Sequence, residues 1–439
     1  MKKLLLFFVF FILISMVCCV GGESLDTIPD AVKESSDWLG TTVQEYDGPQ
    51  IVRLAWGSIP EQFTSDERFQ ELKEAGITHN FNWYYSSANE AEKALDAAGK
   101  AGIKVILNCP EIASDPEGTV TRFMNHQALD GYYLGDEPAS DSFLVYGARA
   151  ERIRALDKVH FCYVNLPRIT HSDPYFGKGT ENYKEYVNDF IVKVQPEFLS
   201  YDNYTIYFLK DNNELIIDPQ MYENLEVIRD AAMKANKEFW AFCLSSSHSV
   251  GSGARLYPEP VLGHMRLYVY SDLAYGAQGI EYFNYWLAAS INSTIDYRGE
   301  HYYYAPISFE GVKGPIYDRL KTINTEIRNL SFVFADAKVK WVRHTGNTIP
   351  KGTTKLSSEL VSTPFKKLQA SGGLIVSLLE KADNRYLVLV NRDVTKSIDL
   401  TIETDPAVKR VLKSGAIIDA ESKLKITEGD AAIYAWKIN

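Results

Sequence analysis

The chain has 439 residues, 57 acidic against 46 basic side chains and a formal net charge of −11. No block of Lys or Arg interrupts that acidic balance, which argues against nucleic acid as a partner. The 27 tyrosines and 7 tryptophans suit stacking on the C–H faces of sugars, although large cores use aromatics too.

The first segment reads as an export signal rather than as part of a fold. Lys2 and Lys3 precede an apolar run from Leu4 to Val17, followed by Cys18, Cys19 and the small residues Gly21 and Gly22. The run is short for a membrane span. A cysteine closing it reads as a lipid-attachment site, with Cys19 the better candidate, against an ordinary cleaved signal or an uncleaved anchor. Residues 1–22 are therefore expected to be a lipoprotein signal. The protein is expected in the cell envelope, in the outer membrane or the periplasm, touching membrane only through the lipid. Past that point only Cys109, Cys162 and Cys243 remain. Three separated cysteines make no disulfide framework, and no CxxC or HxxxH spacing suggests zinc. Each sits in an apolar stretch, as a small core residue does. No metal and no organic cofactor is expected.

From residue 50 the chain alternates. IVRLAWG (51–57) leads into SDERFQELKEAG (65–76), ITHNFNWYY (77–85) into ANEAEKALDAAGKAG (88–102), and IKVILNCP (103–110) into a helix near 119–127. LDGYYLGDEP precedes the helical stretch 143–158, HFCYVNLP (160–167) precedes 182–196, and EFLSYDNY (197–204) leads through a long loop to 221–237. EFWAFCLSSSH (238–248) is followed by 261–279, and GIEYFNYW (279–286) by 316–330. Gly76, Gly102 and Gly279 fit helix C-caps. Strand–helix alternation calls for a parallel sheet, and eight such units suit a closed (β/α)8 barrel over residues 23–337. A doubly wound open sheet would carry fewer strands and a Gly-rich loop after the first, which is missing here. Beyond residue 338 the helical period stops. KWVRHT, GLIVSLLEK, YLVLVNRD, SIDLTIET and AAIYAWKIN are short β-branched runs between polar turns. They predict a small antiparallel β-sandwich over 338–439, with 345–373 as a long loop or edge excursion.

GYYLGDEP (131–138) ends the fourth strand on Asp136 and Glu137. In a barrel of this kind the C-terminal strand ends and the loops after them form the active face. Alternation sends one acid toward the axis and the other toward neighbouring structure, and Pro138 stops the ladder. GYYLGDEP, SYDNY and AYGAQGIEYFNYW together resemble the clan of (β/α)8 glycosidases that includes the family 42 β-galactosidases. They are similar, more closely, to glycoside hydrolases found as lipoproteins in gut Bacteroidetes. The resemblance covers the eight-unit region and, loosely, the β domain. It implies that Glu137 is the general acid, kept protonated by a partly desolvated barrel mouth. It also sets Asp136 where the clan carries an Asn that touches the sugar 2-hydroxyl, and places Trp286 on a sugar platform.

The chain departs from the clan at strand seven, where the clan's nucleophilic Glu is replaced by Ser245, Ser246, Ser247 and His248. Glycoside hydrolysis normally needs two carboxyl groups. Asp202, closing strand six, is the first choice for the second, then Glu281, which opens strand eight and would lie deep, then Glu111. Asp202 reads equally as an Asx-turn residue beside Asn203. Trp56, Trp83 and Trp286 end strands one, two and eight, as stacking platforms or as lids on the core. Tyr204 in SYDNY joins them. Asn80, Asn82 and Asn108 would read hydroxyls or satisfy loop backbone, and His248 would bond a sugar or serve structure. The three serines lack the GxSxG context of a nucleophile. The expected function is hydrolysis of an extracytoplasmic oligo- or polysaccharide. A barrel that lost its nucleophile and only binds sugar is the alternative. A metal-dependent deacetylase or amidohydrolase is a third possibility, which 8 scattered histidines do little to serve.

Overall fold

Helix ends fall where local chemistry sets them. Ser65 and Ser87 accept hydrogen bonds from the backbone N–H groups of Arg68 and Glu90, capping the helices Asp66–Glu74 and Ala88–Ala101. Gly102 closes the second of these in the left-handed region at φ 72°, where a side chain would be strained. The helices Phe143–Leu156, Gln220–Ala235 and Pro315–Asn329 follow the predicted pattern to within a residue or two. Gly279 is a correction. The helix Leu262–Tyr275 is capped by Gly276 at φ 98°, and Gly279 opens the next strand. A Cβ at Gly279 would lie 2.4 Å from the Trp240 ring, so close packing between strands explains that glycine.

The structure, a computed structural model, describes residues 46–170, 175–176, 180–209, 214–250, 254–288 and 300–438. The expected signal segment, Cys19 included, lies outside them. Eight parallel strands close into a barrel. In chain order they are Val52–Trp56, His79–Phe81, Lys104–Leu107, Leu129–Asp136, Phe161–Leu166, Phe198–Tyr201, Glu238–Leu244 and Gly279–Phe283, strands one to eight below. Strand one pairs with both strand two and strand eight. Aromatic and aliphatic side chains fill the interior, among them Leu54, Trp56, Phe81, Ile106, Tyr163, Trp240 and Phe242. It is a packed core rather than a pore.

Two further β-structures complete the chain. Segments following strands six, seven and eight assemble into a five-stranded sheet that the sequence did not announce. Its order is His301–Tyr304, Ser247–Val250, Arg255–Tyr257, Ile206–Leu209, Leu215–Ile217. Tyr268 ties it to the barrel wall, its hydroxyl accepting from Thr205 N at 2.6 Å and Ile206 N at 2.9 Å. The C-terminal region is a β-sandwich of a six-stranded and a three-stranded antiparallel sheet. The stretch 345–373 contributes the edge strand Phe365–Ala370. One face of the larger sheet packs on the smaller through Leu374, Val376 and Leu378 of its second strand, with Leu387, Leu389 and Tyr434. The other face joins the barrel core through Ile375, Val388, Val390 and Ile433. Burial on both faces explains why GLIVSLL and YLVLV read as unbroken apolar runs. No described helix is long and apolar enough to cross a membrane.

Candidate active site

Strand four carries an extra residue. Tyr133 pairs with Tyr163 and Gly135 with Val164, so Leu134 is the bulge. A bulge shifts side-chain alternation by one. Without it, Tyr133, Gly135 and Glu137 would share a face. With it, Asp136 pairs in register with Asn165 and takes the inward position above Tyr133 and Tyr163. Asn165 Nδ2 donates to Asp136 Oδ1 at 3.0 Å. Glu137 follows at φ 41°, and its N–H still donates to Asn165 O at 2.8 Å. That turn brings its carboxyl among Arg168, Tyr183, Tyr186 and Tyr204, each of which feels its charge.

Asp202 leaves strand six with its N–H on Leu166 O at 3.3 Å. Its charge reaches Arg168, Tyr183 and Tyr204, which also feel Glu137. Arg168, just past strand five, is therefore within electrostatic reach of both expected catalytic acids. Burial works against its charge, but Tyr257, Asp202 and Glu137 more than offset that and hold the guanidinium above its usual range. Sequence reading passed over Arg168. Its position after the PRI turn gives no sign that strands four and six both send it a carboxylate.

An aromatic arc runs from these acids to an open cleft. Tyr204 packs on Phe283 at 5.2 Å, and Phe283 meets Trp83 at 5.7 Å. Burial, with Asp202 and Asp136 next, pushes the Tyr204 hydroxyl well above its ordinary pKa, so it stays a neutral donor. Trp83 borders a cleft of about 520 Å³ lined also by Gly57, Asn82, Tyr84, Tyr302 and Trp286. Gly57, at φ 56°, is required there, since a Cβ would fall 1.9 Å from Trp83 Nε1. His248 lies on the five-stranded sheet, stacked on Tyr257 at 4.5 Å and on Tyr302 at 5.4 Å. Burial lowers its pKa to about 3, so the ring is neutral. Trp83 Nε1, Tyr204 Oη, His248 Nδ1, Asn203 Nδ2 and both amide atoms of Asn284 are buried with no hydrogen-bond partner. Buried polar atoms are nearly always satisfied, and a cluster of exceptions at strand ends is what a polar ligand would satisfy.

Several expected roles are corrected. Trp56 is 1% exposed and packs on Phe81 at 4.2 Å inside the barrel, so it is core and offers no platform. Trp286 lines the cleft but is 2% exposed, held by Phe63 at 4.8 Å and the Arg68 guanidinium at 5.2 Å. It backs the wall. Asn108 Nδ2 donates to Trp83 O at 2.6 Å and Asn82 O at 3.3 Å, and Asn82 Nδ2 donates to Tyr84 O at 2.8 Å. These amides organise the strand-two loop. Asn80 is buried, its Nδ2 on Tyr85 Oη at 3.5 Å. Glu111 accepts from Ala88 N at 3.0 Å, a bond that caps a helix and holds its carboxyl below the usual range. At strand seven, Ser245 Oγ donates to Asn284 O and Ser246 Oγ to Phe283 O, both at 3.2 Å. Ser247 Oγ donates to Tyr257 O at 2.9 Å. All three hydroxyls are spent on backbone carbonyls. Glu281 is 0% exposed, inside the barrel beneath the mouth. Among the described residues no group of three or more His, Cys, Asp or Glu side chains is placed to hold a metal.

The fold and mouth thus define a (β/α)8 barrel with acids from strands four and six at its C-terminal face and a trailing β-sandwich. Solved glycoside hydrolases share the fold. The chain superposes on the GH42 β-galactosidase Gan42B from G. stearothermophilus with a TM-score of 0.60 at 8% identity, covering 90% of this chain and 100% of that one. A glycoside hydrolase family 5 protein from Bacteroides vulgatus gives 0.55 at 11% identity, covering 92% and 94%. The chain spans 60% of the β-galactosidase from Marinomonas ef1, at a TM-score of 0.45. No protein-family model matches the sequence, and no curated protein matches it.

Proposed function

We infer that the protein is a glycoside hydrolase acting on an oligo- or polysaccharide outside the cytoplasm. The observation that carries this reading is that Glu137 and Asp202, at the ends of strands four and six, both act electrostatically on Arg168 and Tyr204, at the end of an aromatic arc leading from a cleft. Glu137 donates a proton to the glycosidic oxygen. Asp202 attacks the anomeric carbon or activates water, the division of labour that glycoside hydrolysis requires. Asp136 orients a sugar hydroxyl, Trp83 and Tyr204 hold ring faces, and His248 Nδ1 accepts from a hydroxyl. The left-handed backbone at Glu137 supports the assignment, because such outliers gather at functional sites. Lipidation at Cys19 after an export signal anchors the enzyme in the envelope, in the manner of the gut Bacteroidetes lipoproteins that its motifs resemble.

A second reading, a sugar-binding barrel without catalysis, rests on the serines at the end of strand seven. One screen separates the two. Purified protein, with Glu137→Gln and Asp202→Asn, is incubated with aryl glycosides and with plant and host polysaccharides, while released sugar and bound glycan are both measured. Hydrolysis by the wild type that falls by two or more orders of magnitude in each variant, with binding kept, is the expected result. Turnover undiminished in Glu137→Gln removes that residue from the mechanism. Glycan bound without product establishes the binder.

A further inference from the structure

Five oxygens crowd together below the mouth. Tyr163 Oη is 2.7 Å from both Glu281 Oε1 and Ser200 Oγ. Ser200 Oγ is 2.8 Å from Glu281 Oε2 and 3.0 Å from Asn165 Oδ1. Asn165 Nδ2 then donates to Asp136 Oδ1 at 3.0 Å. Oxygens this close are held together by hydrogens, and neither a carboxylate nor an amide oxygen supplies one. With Glu281 ionised, the hydroxyls of Tyr163 and Ser200 bring two hydrogens to four contacts. The single Ser200 hydrogen cannot serve Glu281 and Asn165 together. Turning the Asn165 amide round moves the problem without solving it. Its Nδ2 then meets Ser200, while its Oδ1 faces Asp136 Oδ1 and demands a proton there. Either way one acid proton is present, on Glu281 or on Asp136. Burial decides between them, because Glu281 is 0% exposed while Asp136 is exposed, and desolvation penalises the buried charge.

We propose that Glu281 stands as a neutral carboxylic acid beneath the mouth and, through Ser200 and Asn165, fixes the inward carboxylate of Asp136. Glu281 Oε2–H donates to Ser200 Oγ, Ser200 to Asn165 Oδ1 and Asn165 Nδ2 to Asp136, while Tyr163 donates to Glu281 Oε1, so that three hydrogens serve the four contacts and the Tyr163–Ser200 pair is held through their common partner Glu281. Glu281 is a positioning residue, since it acts on the mouth only through these three. Its surroundings agree. Burial pushes its carboxyl up to about 8, hydrogen bonds from Tyr163 and Ser200 pull the other way, and the charges of Asp202 and Asp136 add to the rise. Its register partners on strands one and seven, Leu54 and Phe242, are apolar. Loss of the proton at alkaline pH turns the Ser200 hydrogen to Glu281 and withdraws it from Asn165 Oδ1, loosening the hold on the amide that meets Asp136.

Infrared spectroscopy tests this without any substrate, so its outcome is independent of the glycosidase reading. Protein labelled with ¹³C-carboxyl glutamate should show a protonated-glutamate C=O band at about pH 6 that fades toward about pH 9 and is missing from Glu281→Gln. The label sets it apart from the buried Asp272, whose carboxyl also titrates high. In Glu281→Gln the side-chain amide donates to Ser200 as the acid does. The ¹³C signal of Asp136 should then stay constant where the wild-type signal shifts through about pH 8. No glutamate band in the wild type, a band that survives Glu281→Gln, or an aspartate band that vanishes in Asp136→Asn overturns the proposal. If Glu281→Gln does not fold, the wild-type pH titration of the labelled glutamate decides alone.

Discussion

Glu137 holds a non-glycine backbone at φ 41°, a conformation that strains an L-residue by about 1–3 kcal/mol. Glycine adopts it freely. Glu137→Gly is therefore expected to raise the unfolding free energy by about 1 kcal/mol in denaturant titration while removing turnover, a stability gain at the expense of the site. Glu281 makes a second residue-scale prediction, with its sign set by linkage. Its folded pKa, about 8, lies above the unfolded value of about 4.5, so the native state holds a proton that the unfolded chain releases. The neutral acid's contribution is whole below about pH 4.5 and is lost as pH rises to about 8. Melting temperature followed across that window should fall more for the wild type than for Glu281→Gln, which cannot ionise. A parallel pair of curves would show that Glu281 is ionised throughout.

Among the elements, the eight barrel strands were legible because each is a short apolar run closed by a helix signal, and the helices because their apolar positions recur at 3.6 residues. The bulge at Leu134 was not. It adds one residue to a pattern that is apolar on both faces, and only pairing with strand five reveals that Asp136, not Glu137, follows Tyr133 inward. The five-stranded sheet was equally hidden. Its strands are three or four residues long, and their partners lie in three different loops. Strand-end position singled out Asp202 and Glu137 as candidates, whereas Arg168 and Tyr257 needed the tertiary structure. The sheet carries its own test. His248 has a folded pKa of about 3, below the unfolded value of about 6.5, so its contribution is complete above about pH 6.5 and drains away as pH falls toward about 3. His248→Phe keeps a ring between Tyr257 and Tyr302 without the proton. It should make stability decline less steeply with acid, by about 1.4 kcal/mol per pH unit across that window. His264 and His344, lowered to about 4 and about 3, should maintain the remaining slope.

In the whole molecule, Thr42–Asn439 form one compact unit, and the helix Leu262–Tyr275 explains why barrel and sandwich do not part. Twelve of its fourteen residues are buried, as in a helix covered all round. One side lies on strand seven and the other on the strands Leu374–Lys381 and Asn384–Asn391. Ser377 Oγ donates to Ala274 O at 2.6 Å across that contact. At its centre Arg266 pairs with Glu326 at 2.6 Å and with Asp430 at 3.5 Å, and Lys413 reaches Asp430 at 2.7 Å. Tyr270 Oη donates to Glu326 at 2.7 Å. Arg266 and Glu326 belong to barrel helices, whereas Asp430 and Lys413 belong to the sandwich, so a single guanidinium joins the two. Removing it takes the cation from the buried Glu326 carboxylate and leaves Asp430 to Lys413, which is far more harmful than exchanging a whole ion pair for apolar groups. Arg266→Met, similar in length but uncharged, is expected to lower unfolding free energy by about 3–5 kcal/mol, with one calorimetric transition in both proteins because neither half can bury that helix alone. Two resolved transitions in the wild type would mean that the sandwich unfolds independently and that the charges around Arg266 do not couple it to the barrel.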